Sequence, residues 1–218
     1  MKPDFISRAF ARPGRFTALA ATLGFLIVAC GREAAEQQKR LDDLRAAIGS
    51  APLEETRAEK LAPQEEALDQ LTADLQKRAE RKESARVDWQ IGECHRLRHL
   101  FDDPGAWEEA ERRFSLALAR DPKFAPAHVS MGQLYLTGGF DYAPRAEKHF
   151  VQALEIAAGA PMPEAHKGLF LAYYYQARWD EALKQADTYL KIVGHDDDVE
   201  KMRSMAATNL GKRSEGKS

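Results

Sequence analysis

The sequence predicts an all-α fold: an α-solenoid of about three stacked helix pairs, closed by a C-terminal capping helix and preceded by a charged helical arm. Three observations carry this prediction. Ala, Leu, Glu, Lys and Arg dominate a 218-residue chain whose hydrophobic content is 44%, a composition that favours helix. Runs that alternate Val, Ile and Thr, the mark of strands, are missing. One helical pattern recurs with a step of 36 residues, a period typical of stacked repeat units.

Residues 1–29 stand apart from the fold. Lys2, Arg8, Arg12 and Arg15 make a positive start, and an uncharged run follows from Phe16 to Ala29. Fourteen residues of helix span about 21 Å, short of the roughly 30 Å hydrocarbon core of a bilayer. This is the layout of a secretory signal peptide. The run stops at Ile27-Val28-Ala29-Cys30, which resembles the lipobox of bacterial lipoproteins. The resemblance implies cleavage before Cys30, lipidation of Cys30 and a membrane-held protein facing the periplasm. Several acyl chains anchor more firmly than one. Gly31, where lipoproteins kept at the inner membrane often carry Asp, points to the outer membrane. The plainer alternatives are an uncleaved anchor, or an ordinary signal peptide with a chance cysteine.

The formal net charge is −2, which argues against nucleic acid as a partner. Cleavage leaves 28 basic and 33 acidic residues, a net charge of −5. It also leaves Cys94 as the one unmodified cysteine, so no internal disulfide framework holds an exported form together.

The arm, residues 30–84, is polar with a narrow apolar stripe: Leu41, Leu44 and Ile48, then Leu61, Leu68, Leu71 and Leu75. Steps of three, four and seven are helical. They predict a helix near 32–48, a break at Gly49–Pro52, and a second helix near 64–84 opening at Pro63. Whether 53–61 are helical is left open. Neither stripe sustains three heptads, which favours a solvated spacer over a helical hairpin or a dimerising coiled coil.

The repeat begins at residue 85. Its second helices start at Trp107, Ala143 and Trp179 and align without gaps: Ala110, Ala146 and Ala182; Phe114, Phe150 and Ala186; Ala117, Ala153 and Tyr189. Upstream partner helices carry Gly92 and Gly132 at matching places, where two helices approach closely, and Phe170 departs from that pattern. Such a pair, with small residues at the crossing and Pro122 closing the first unit, is similar to the tetratricopeptide (TPR) repeat. The resemblance covers 85–195, in units of about 85–125, 126–162 and 163–195. Residues 196–211 form the cap. Asp196, Asp197 and Asp198 suit a helix N-terminus, Val199, Met202, Ala206 and Leu210 keep helical spacing, and Gly211 suits the position just past the end. Residues 212–218 read as a disordered tail.

In the TPR family the first helices line a concave groove that binds a peptide or a partner's helix. Carried over residue by residue, the resemblance implies a groove of Trp89, Glu93 and Arg96, then Val129, Gln133 and Leu136, then Lys167, Leu171, Tyr174 and Tyr175. Tyr173, Tyr174 and Tyr175 fan over roughly 200° of one helix, so a single core stripe does not hold all three. Tyr173, which matches Tyr135 of the preceding unit, takes the core position. No phosphate-binding loop, nucleophile elbow or acid–base constellation is present, and the chain reads as a non-enzyme with no cofactor and no metal. The expected function is a periplasmic adaptor in envelope assembly, of the pilus, secretion or outer-membrane type. One alternative is a small-molecule or metal-binding protein using the His95/His99 face, which is short of a third ligand. Another is a structural oligomer built through the arm.

Overall fold

The computed structural model describes the backbone of residues 14–49 and 57–215, and the side chains of 31–48 and 62–212. Among the described residues the chain is helical and without strands. The helices are α1 (Gly14–Gly49), α2 (Arg57–Arg81), α3 (Ala85–His99), α4 (Ala106–Arg120), α5 (Ala125–Thr137), α6 (Ala143–Ala157), α7 (Pro163–Tyr175), α8 (Trp179–Val193) and α9 (Asp197–Glu215). A short 3-10 turn, Phe140–Tyr142, leads into α6. Helices pair as α3 with α4, α5 with α6 and α7 with α8, and α9 closes the stack on α8.

The pairs form because each carries one face of small residues. Gly92 lets α4 approach α3 so closely that an added Cβ would lie 2.6 Å from two atoms of the Phe114 ring. Phe150 is held from both sides: a Cβ on Gly132 of α5 would come within 2.7 Å of its ring, and one on Gly168 of α7 within 2.2 Å. The third unit inverts this arrangement. Phe170 and Ala186 replace the Gly and Phe, and both are fully buried in one cluster with Ala182, Tyr189 and Val199. The large ring has changed helix while the volume between the helices is kept. The packing residues Ala110, Ala117, Tyr135, Ala146 and Ala153 are buried in the main core. Tyr173 is half-buried and touches both the main core and the third cluster.

The arm departs from the expectation of a solvated spacer. Leu41, Leu44 and Ile48 of α1 and Leu68, Leu71 and Leu75 of α2 are buried together with Val87, Ile91, Cys94 and Leu97 of α3. The described leucines of both stripes thus face α3, the side chain of Leu61 lying outside the described residues, and the hairpin acts as a further helix pair at the N-terminal end of the stack. Periodicity identified the apolar stripe; α3 presents an apolar face on the side away from α5, and that face needs cover. The same stripe is therefore used within the chain rather than offered to a second copy.

Helix ends also differ. α2 starts at Arg57 rather than at Pro63, which lies inside the helix, and it stops at Arg81. Residues 57–61 are thus helical; 50–56 lie outside the described residues. α9 passes through Gly211 to Glu215, because Lys212 and Arg213 suit a helix C-terminus. The expected tail shrinks to 216–218, which lie outside the described residues, as do 1–13 of the expected signal peptide and the side chain of Cys30. Among the residues whose side chains are described, no helix is long and apolar enough to cross a membrane.

Candidate binding cleft

The first helix of each pair, together with α1, lines one side of the stack, where α1 touches α3, α3 touches α5 and α5 touches α7. A cleft of about 470 Å³ opens there, lined by Arg45, Trp89, Arg96, Leu97, Leu100, Pro126, Val129, Ser130, Gln133, Met162 and Glu164. Four of the ten residues expected in a groove meet in it: Trp89, Arg96, Val129 and Gln133. Trp89 is only 6% exposed. Its indole N–H donates to Ser130 Oγ at 2.8 Å, Phe124 meets it edge-on, and the Arg45 guanidinium lies 5.1 Å over the ring. It is a wall of the cleft.

Glu93 lies beneath that wall, fully buried. Arg96 donates to both of its carboxylate oxygens, at 3.1 and 3.0 Å. Arg45 of α1 donates from Nε at 2.7 Å and from a terminal nitrogen. Burial alone would raise the Glu93 pKa, but Arg96 and Arg45 outweigh it and hold the carboxyl down at about 2. The two guanidiniums share Glu93, Arg45 also lies 3.6 Å from Asp42, and Glu164 lines the rim, so carboxylates offset both cations. A cleft of this kind suits an apolar side chain beside a hydrogen-bond acceptor such as a peptide carbonyl.

The other expected groove residues lie elsewhere. Leu136 packs against the main core. Lys167 donates to Asp196 at 2.7 Å and sits over the Tyr189 ring, which ties α7 to the start of α9. Leu171 packs on the third cluster. Tyr174 meets Phe170, Trp179 and Tyr175 edge-on, and Tyr175 meets Phe140 at 5.0 Å. These rings form an aromatic edge at the turns within the pairs, where Phe140 is 69% exposed. Tyr173 faces Arg178, whose guanidinium is 4.4 Å from the ring.

Sequence reasoning missed Arg45, Ser130 and Met162. Arg45 comes from the arm, 48 positions before the carboxylate it holds, and nothing local signals that pairing. Met162 and Glu164 sit at the entry of α7, where Pro161 and Pro163 were the one available signal. His95 and His99 do not build a metal centre: His95 is half-buried with Nε2 lacking a hydrogen-bond partner, and among the described residues no group of three or more His, Cys, Asp or Glu could hold an ion. Cys94 is a free, fully buried thiol whose pKa burial pushes up to about 12.

No protein-family model matches the chain, and no curated protein matches it in sequence. Solved structures do. A thermophilic TPR protein of Thermus thermophilus superposes with a TM-score of 0.53 at 23% identity, covering 87% of this chain and 96% of that one. A tetratricopeptide repeat protein from Parabacteroides merdae gives 0.51 at 15% identity, covering 84% and 76%. The chain has the fold of TPR proteins.

Proposed function

We propose that this chain is a lipid-anchored periplasmic adaptor, not an enzyme, which holds a protein partner near the outer membrane during envelope assembly. The observation that carries the binding role is the 470 Å³ cleft whose rigid wall, Trp89, is fixed by Ser130 and Arg45. A preformed wall lowers the ordering cost of binding. Val129, Met162 and Leu97 offer an apolar seat, while Arg45 and Arg96 offer donors to a peptide carbonyl. The anchoring role rests on the residues before Cys30.

The cleft is tested by placing a photo-crosslinking residue at Gln133 in cells and identifying the adduct by mass spectrometry. A single adduct lost on Val129→Asp supports the reading; crosslinks that persist in that variant, or none above an Asp141 control, count against it. Membrane attachment is tested with Cys30→Ser, which moves the protein to the soluble fraction. Unchanged fractionation rejects the lipid anchor.

A further inference from the structure

We infer that, in the anchored protein, the corner of the solenoid at the α2–α3 turn lies against an anionic bilayer, and the aromatic edge at Phe140 and Tyr175 faces away from it. This rests on the reading of Cys30 as lipidated.

The register of the N-terminal hairpin carries the inference. Arg40 pairs with Asp74 at 2.9 Å, Arg78 donates to Gln37 at 2.6 Å, and Arg81 donates to Glu33 at 3.3 Å. The two helices run antiparallel, and their contacts step toward the C-terminus of α2. The backbone of Cys30 lies in α1 three residues before Glu33, about 4.5 Å further along the axis. That is level with residues 82–84, which join α2 to α3. Successive helices alternate in direction, so turns 121–124, 158–162 and 194–196 share this edge, and turns 100–105, 138–142 and 176–178 share the opposite one.

There is little slack between anchor and body. Gln37 and Leu41 are already buried in the fold, so the anchor fixes an orientation instead of acting as a loose tether. Charge agrees with the geometry. Arg32, Lys77, Lys82 and Arg86 are exposed around this corner and outnumber the exposed Glu36, Glu80 and Glu83 among them. Asp197 and Asp198 open α9 at the far end of the stack. Anionic headgroups attract the near corner and repel the far end. α3 then stands away from the bilayer over a height of about 22 Å, and the cleft opens sideways, so that a partner arrives parallel to the membrane.

The test uses the full-length lipoprotein in vesicles of phosphatidylethanolamine and phosphatidylglycerol containing a headgroup-attached quencher. Lys82→Cys, Lys123→Cys and Asp141→Cys variants each carry one fluorophore; the buried Cys94 stays unlabelled. Quenching several-fold stronger at position 82 than at 141, with 123 between, is the expected result. Quenching at 141 equal to or above that at 82, or none at any position in protein whose intact mass includes the lipid, overturns the orientation. Intact mass without lipid overturns the anchor reading itself, and the orientation with it.

Discussion

Arg45 and Glu93 join the two halves of the structure: a guanidinium from the arm holds a fully buried carboxylate in the first repeat helix, 48 positions away. Breaking a buried ion pair from one side leaves an uncompensated charge, which costs about 3–5 kcal/mol. Glu93→Gln is therefore expected to lower stability by about 3 kcal/mol, read by urea denaturation of the 31–218 fragment. Arg45→Ala costs less, because Arg96 remains on Glu93, and it speeds amide exchange in α1 and α2 before the repeats. Uniform exchange along the chain would show that the hairpin is not held separately.

Acid should destabilise the protein in two stages. His128 Nε2 lies 3.2 Å from the Pro122 carbonyl, which only accepts, so His128 donates there and its Nδ1 accepts from His149 Nδ1 at 3.1 Å. Burial, and then the neighbouring His128, pull the His149 pKa down from 6.5 to about 4. The unfolded chain binds this proton first, so stability is full above about pH 6.5 and falls as pH drops toward 4. Glu93 and Asp196, held at about 2, keep their contribution above their unfolded values and lose it as pH falls from about 4.5 to 2. The His95 pKa is lowered by burial as well and adds to this upper stage, so His149→Gln should make the upper stage shallower and leave the lower one unchanged; a fall between pH 6.5 and 4.5 that is unchanged in this variant refutes the assignment.

The Phe150 ring, held between Gly132 and Gly168, leaves no space for a methyl group. Gly168→Ala should cost about 1–3 kcal/mol through overpacking. Adding Phe150→Leu should recover part of that loss, giving a non-zero coupling energy in a double-mutant cycle. Additive losses would mean that the helices move apart freely.

Neighbouring tyrosines should behave differently. Tyr174 is half-buried between Phe170 and Trp179, so Tyr174→Ala should lower stability by about 2 kcal/mol. Tyr175 leans on the exposed Phe140, and Tyr175→Ala should change stability by less than about 0.5 kcal/mol. Thermal melts of the two variants decide it: equal shifts would contradict the placement. This revises the expectation that both rings are free for a partner.

The sequence by itself determined the helices, the repeat and its packing code. Small and aromatic residues such as Ala110, Phe114 and Gly132 recur at fixed spacing because each pair solves the same local packing problem, and periodicity records such solutions. The resemblance to the TPR repeat, carried onto the first helices, also pointed to Trp89, Arg96, Val129 and Gln133, which the structure brings to one cleft. The tertiary structure alone decided what covers each apolar face. The stripe at Leu41, Leu68 and Leu75 fits a dimer seam, a hairpin or a docked arm equally well as a pattern. Only the apolar flank of α3, with Val87 and Ile91, selects the docked hairpin, and that brings Arg45 to Glu93 and Trp89. Helical spacing fixes direction around one axis; which partner lies in that direction depends on burial summed over the whole chain.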